Sequence, residues 1–355
     1  MNFCSDNTTG ASPEILAAIA AANDGAVMPY GNDDYSRRAE QRIAAFFECE
    51  ADVFLLATGT AANALCLSVM TPPYGAVFCH PESHVNEDEC GAPEFYSGGA
   101  KLVPLPDHGG KIAADDLAAA LARPDHGVHS VQNAAVSITQ ASEAGTLYTI
   151  AEVRAIAEVA HASGLKVHMD GARLANALAA LGCAPADLTW RAGVDALSFG
   201  ASKNGALAAE TAVLFDRELA QTFPYRRKRG GHLFSKMRFL AVQFEAYLED
   251  DLWLRNARHA NAMARRLGDG LAAVPGARPR HAVEANEIFV SLPEPVIAGL
   301  EADGFLFYRW PGDDPTLLRL VTAFNTREAD VDALVARALG HAGVDVEQGT
   351  AGQNT

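Results

Sequence analysis

The chain holds six cysteines and no Cys-x-x-Cys pair. Without that spacing no zinc site is expected, and scattered thiols fit a reducing compartment, the cytoplasm. No run of about eighteen uninterrupted apolar residues is present, so no membrane span is expected. The first residues, Met1-Asn-Phe-Cys-Ser-Asp-Asn, lack a basic stretch followed by an apolar one, so neither is a signal peptide. Positive charge is scarce, with 28 lysines and arginines against 44 acids and a formal net charge of −16. That balance argues against nucleic acid and anionic membrane surfaces as partners. It also means that an anionic ligand must be held by local cations. No internal repeat is evident. What the chain does have is size and apolar content: 355 residues, 49% hydrophobic, enough for two cores.

Through the first two-thirds, short apolar runs alternate with helical patterns, the sign of βαβ units and an α/β fold. The pattern predicts helices over Arg37–Phe47, from Thr58 through Met70, over Ile150–Ser163, and from a cap at Asp115 to Ala122. Strands are predicted at Val53–Ala57, Ala76–Cys79, Lys101–Leu105, Leu165–Met169, Ala196–Phe199 and Thr211–Phe215. After Lys236 a long helical region runs to Ala273, broken near Asp250–Asp251. Strands at Glu287–Leu292 and Leu317–Thr322 follow, then a helix capped by Thr326 with Glu328 and Asp330 in its first turn. The division expected is a large domain over 1–245, N-terminal segment included, a small α+β domain over 246–342, and a disordered polar tail over 343–355.

Two strand ends stand out. Leu165-Lys-Val-His-Met runs into Asp170-Gly-Ala-Arg173, and Asp195-Ala-Leu-Ser-Phe-Gly-Ala-Ser runs into Lys203-Asn-Gly. An acid and a lysine at the carboxyl ends of parallel strands face the crevice where open α/β sheets bind ligands. Pyridoxal 5′-phosphate (PLP) needs such a pair, an acid for its pyridinium nitrogen and a lysine for a Schiff base. A lysine in a tight small-residue turn loses basicity by desolvation and becomes nucleophilic. Asp170 could instead cap a helix or pair with Arg173, and Lys203 could lie on the surface. Thr58-Gly-Thr-Ala follows a strand and opens a helix, whose free N–H groups suit a phosphate. Each motif is ambiguous alone; the ordered set is not.

Other motifs are weaker. His80-Pro-Glu-Ser-His84 is not a helical metal pair, because the proline opposes a helix. It reads as a loop that lets His84 lie over an aromatic ring. Arg226-Arg-Lys-Arg229 suits a phosphate-facing or subunit-contact role and equally a solvated turn. Trp190, Trp253 and Trp310 read as core or interface residues.

These residues, with Val136-Ser-Ile-Thr-Gln-Ala-Ser-Glu-Ala-Gly145, resemble the threonine aldolase family of fold-type-I PLP enzymes, within the β-eliminating lyase group. The resemblance is nearest to the bacterial phenylserine aldolase and low-specificity L-threonine aldolase branch, and it spans Ser5 to Thr322. It implies that Lys203 carries PLP, Asp170 binds the pyridine nitrogen, Gly59 and Thr60 hold the phosphate, and His84 stacks on the ring. It implies that Ser5, Arg173 and Arg319 grip the substrate carboxylate, with Arg173 also within reach of the cofactor. It further implies that Tyr30 reaches a neighbouring subunit's site in a homotetramer, with Lys228 and Arg238 near the shared interface.

One departure matters. The family's histidine at the substrate hydroxyl is replaced here by Gln140, which cannot exchange a proton near neutral pH. Gln140 is therefore expected to orient the hydroxyl, while His84 or a water takes its proton. The implied activity is retro-aldol cleavage of L-β-hydroxy-α-amino acids to glycine and an aldehyde. A related PLP-dependent β-elimination and a PLP-sensing binding module are the competing readings.

Overall fold

The computed structural model describes residues 1–124 and 126–344; the tail expected beyond Gly343 lies outside the described residues from position 345 onward. Seven strands build the main sheet: β1 (Asp52–Leu56), β2 (Gly75–Cys79), β3 (Lys101–Pro104), β4 (Gln132–Thr139), β5 (Lys166–Gly171), β6 (Ala196–Gly200) and β7 (Glu210–Leu214). Their order is β1-β7-β6-β5-β4-β2-β3. Strands β2 to β6 pair in parallel, while β7 runs against both β6 and β1. β1 therefore points the same way as β6. The carboxyl ends of six strands and the amino end of β7 share one edge, and the predicted acid and lysine lie on it.

The strands of this sheet are apolar on both sides where helices cover them: every residue of β2, β6 and β7 is buried. The predicted strands are all present, with ends shifted by a residue or two. The structure adds β4, whose first residues, Gln132 and Asn133, are polar and exposed and hide the strand from a hydrophobic scan. It also adds the helix Leu174–Leu181 directly after Arg173.

Two caps differ from expectation. The helix Ala114–Leu121 is capped by Ala113, which places Asp115 inside the first turn as a favourable charge at the dipole's positive end. The last helix, Glu328–His341, is capped by Arg327. The Thr326 hydroxyl is occupied instead in accepting the Ala323 N–H at 2.8 Å.

A second, antiparallel sheet has the order β10-β11-β9-β8, made of β8 (Arg278–Pro279), β9 (Glu287–Ser291), β10 (Tyr308–Arg309) and β11 (Leu317–Val321). The expected break near Asp250–Asp251 is a kink with φ of 48° and 54° at those residues. After it, one helix, Leu252–Ala272, passes through both cores. Its Trp253 and Ala257 pack with the large sheet, and its Met263, Leu267 and Leu271 with the small one. The handover between cores thus falls inside this helix, between Ala257 and Met263. The chain's first residues also join the small sheet: Phe3 N–H donates to Leu306 O, and Val321 N–H donates to Phe3 O, both at 2.8 Å. Among the described residues, no helix is long and apolar enough to cross a membrane.

Candidate active site

The shared strand edge carries a cavity with two lobes that meet at Asn7, His84 and Lys203. One lobe, about 320 Å³, is lined by Thr58, Gly59, Thr60, Asn63, Asp170 and Glu210 among others. The other, about 430 Å³, is lined by Ser5, Glu143, Arg173, Trp310 and Arg319 among others. The structure therefore brings together eight residues singled out in the sequence: Ser5, Gly59, Thr60, His84, Asp170, Arg173, Lys203 and Arg319.

The smaller lobe suits an aromatic phosphate. Thr58 caps the helix Gly59–Met70 by accepting the Ala61 N–H at 3.2 Å. The N–H groups of Gly59 and Thr60 make no hydrogen bond among the described residues, so they are free donors at a helix start. Across the lobe, buried Asp170 accepts the Ala172 N–H on Oδ1 and the Asn63 amide on Oδ2. Each oxygen keeps a lone pair for a further donor. The Asn63 amide also donates to Glu89 Oε1 at 2.8 Å, and Glu89 in turn pairs with His84 Nδ1 at 2.8 Å. His84, Asn63, Glu89 and Asp170 thus form one chain. The donor atoms of His84, Glu89 and Asp170 lie within 4.8 Å of one another, a spacing open to a cation. The Asn63 amide donates to both of its carboxylates.

Hydrogen bonding to Glu89 keeps the His84 pKa above its ordinary value. Burial pushes Glu210, at the start of β7, up to about 7. The Lys203 amine makes no hydrogen bond or ion pair among the described residues. A free amine, an acid with spare lone pairs, and two free N–H groups fit PLP. The buried, unpartnered Asn63 Oδ1 and Glu89 Oε2 mark the same polar wall.

The larger lobe is built around two arginines. Arg173 does not pair with Asp170. Its Nε and Nη2 donate to Asp6 at 2.8 and 3.0 Å, and its Nη1 lies 3.4 Å from Glu287. Arg319 donates to the other oxygen of Glu287 at 2.5 Å and lies over the Trp310 ring, 5.3 Å from its centre. Glu287, 2% exposed, therefore bridges the two guanidinium groups. Burial works against the charge on Asp6, but Arg173 and Lys203 outweigh it and hold the carboxyl below its ordinary range. Burial likewise opposes the charge on Arg173, and Asp6 and Glu287 more than restore it. Trp310, expected in a core or interface, faces this lobe.

Two predicted site residues lie elsewhere. Gln140 is fully buried and lines neither lobe; its amide nitrogen donates to Tyr148 O at 2.8 Å and its amide oxygen accepts Tyr148 N–H at 2.9 Å. Buried and lining neither lobe, it is not placed to contact a substrate hydroxyl, which corrects the role expected for it. Tyr30 is exposed and lies outside both lobes, with the Lys228 amine 4.6 Å from its ring centre. Arg238 donates to the Asp24 and Gly25 carbonyls. The sequence reading missed Asp6, Asn63, Glu89, Glu143, Glu210 and Glu287. Of these only Asp6, beside Ser5, carried a local signal.

A lysine and an acid at the carboxyl edge of a mostly parallel seven-stranded sheet, with a helix start opposite, define the architecture of fold-type-I PLP enzymes. The beta-eliminating lyase family model matches residues 2–294. A low specificity L-threonine aldolase of Pseudomonas aeruginosa is 46% identical over 312 residues, covering 88% of this chain and 90% of that one. Another, from a Pseudomonas species, is 43% identical over 335 residues, 94% and 96% of the two chains. The solved threonine aldolase of Leishmania major superposes with a TM-score of 0.90 at 30% identity, covering 96% of this chain and 99% of that one. The chain belongs to the beta-eliminating lyase family and, within it, to the threonine aldolases.

Proposed function

We propose that this protein cleaves L-threonine, L-allo-threonine and L-phenylserine to glycine and an aldehyde, with PLP as cofactor. The observation that carries the reading is the two-lobed cavity: a cofactor-shaped lobe and a two-arginine lobe that share Lys203. PLP, when bound, supplies an electron sink for the pair left on Cα. Lys203 would hold it covalently, the Gly59 and Thr60 N–H groups its phosphate, and Asp170 a proton on the ring nitrogen. His84 lies at the junction of the lobes and would stack on the ring. Ser5, Arg173 and Arg319 bind the substrate carboxylate and so fix rotation about N–Cα, which selects Cα–Cβ as the bond to break. The bond-selecting residues are pre-positioned by Asp6 and Glu287.

Tyr30 and the Arg226–Arg229 helix turn act at subunit contacts of a homotetramer. Six free cysteines support a cytoplasmic setting. The test is a panel of the three substrates assayed for glycine and aldehyde. The expected result is both products from all three, with phenylserine showing the higher kcat/KM. Release of a 2-oxo acid and ammonia instead would move the assignment to β-elimination. Sedimentation at micromolar concentration tests the assembly, and a fully active monomer would rule out shared sites.

A further inference from the structure

We propose that Glu143 takes the proton of the substrate's β-hydroxyl; the assignment rests on the aldolase reading above. Gln140 is locked away from the cavity, so the loop it belongs to must offer another group or none. The loop is tightly held. Ser142 N–H donates to Thr146 O, their hydroxyls share a hydrogen bond at 2.7 Å, Thr146 Oγ1 donates to Gly109 O, and Leu147 N–H donates to Glu284. Gly145, at φ +74°, sits where a Cβ would come within 3.0 Å of Glu287. Gln140 closes the far end through Tyr148. Between these anchors Glu143 enters the substrate lobe beside Lys203, Arg173 and His84.

Among the described residues the Glu143 side chain makes no hydrogen bond and no ion pair. The other carboxylate lining this lobe, Asp88, is exposed at the rim. Glu143 is thus a half-buried, unpaired acceptor in the substrate lobe. His84 is less suited, because its Nδ1 is committed to Glu89 and that bond favours the protonated ring.

The groups facing Glu143 set its basicity. Burial raises its pKa most; Lys203 and Arg173 lower it; Asp170 and Glu287 raise it, and the net is upward. Arg319, His84 and Asp88 also line the lobe. A carboxylate raised in this way is a better base than a free one. The step balances. Glu143 removes the hydroxyl proton, the oxygen's pair forms the aldehyde C=O, and Cα–Cβ breaks with its pair left on Cα. Cα then gains a proton, giving glycine.

The test compares Glu143→Gln holoenzyme with wild type. Aldehyde release from L-threonine should fall about 100-fold or more in kcat/KM, as for loss of a general base. The glycine dissociation constant, from spectral titration, should stay within about threefold. The acid limb of the wild-type kcat/KM profile should disappear, and Glu143→Asp should recover part of the rate. Unchanged aldehyde release, a retained acid limb, or glycine affinity lost in step with rate each overturns the assignment. Should Glu143→Gln not yield holoenzyme, wild type alone decides. The acid limb should appear with threonine and be absent from glycine α-hydrogen exchange, which involves no hydroxyl; a limb in both reactions overturns the proposal. No aldehyde from wild type would overturn the aldolase reading itself, whereas equal aldehyde from both proteins overturns only the role of Glu143.

Discussion

The two lobes of the cavity are built in different ways. Every residue lining the ring lobe lies between Asn7 and Glu210, drawn mainly from the large sheet's strand ends and the helix Gly59–Met70 beside them. The substrate lobe joins the N-terminal segment, the 140–148 loop, β5's end and the small sheet. Asp6 alone ties Arg173, 167 positions away, to Asn286, 280 positions away. The first lobe is a property of one sheet's edge, and the second is a property of how two sheets and a terminus dock. Chemistry common to many substrates can rest on the first, and the choice of substrate on the second.

The deepest break in this comparison should come from Lys203→Ala, which joins both lobes. Turnover should fall by about four orders of magnitude or more. In wild type, borohydride should fix PLP on the Lys203 peptide, and labelling of another lysine would end the assignment.

Asp170→Asn should hit the ring lobe alone. An amide cannot hold the pyridinium proton by charge, so kcat should drop about 10²–10³-fold while PLP affinity changes less. Unchanged kcat with weaker PLP binding would make Asp170 a mere contact.

Asp6→Asn should sharpen the contrast from the other side. It keeps one hydrogen bond to Arg173 but loses the charge pair, so KM for threonine should rise about tenfold, with PLP binding intact. Stability should fall too, and acid should mimic the change. The folded Asp6 carboxyl titrates below its unfolded value, so its contribution is present above the ordinary carboxylate pKa. It is lost as pH falls through the folded value. A melting temperature for the variant that keeps the full wild-type loss between pH 5 and 3 would show that Asp6 is not the group responsible.

The smallest kinetic effect should come from Gln140→Ala. It removes two buried hydrogen bonds to Tyr148, costing about 2 kcal/mol of stability by the usual penalty for orphaned partners. Thermal unfolding should show that loss while KM for threonine hardly moves. A large KM rise with no stability change would restore direct substrate contact.

The same asymmetry explains what the sequence revealed. Lys203, Asp170 and the Thr58–Thr60 turn each end an apolar run, so local periodicity points to them. The strands of the large sheet were legible for that reason, apart from β4 with its polar start. Asp6, Glu143 and Glu287 carry no periodic signal, because their roles come from partners far away in the chain. Gln140 was misjudged for a related reason. Its neighbours place it near the site, but a hydrogen-bonded turn back to Tyr148 rotates its amide into the core, and no local pattern records that.

The docking of Phe3 between Leu306 and Val321 also fixes an order of events during synthesis. The ribosome makes Ser5 and Asp6 almost first, yet their seat exists only once β11 has emerged. A nascent chain extending just past Glu210 already contains every residue of the ring lobe. Under the proposed roles, cofactor capture would come early in the life of each molecule, and the grip on an amino acid only after β11 is made.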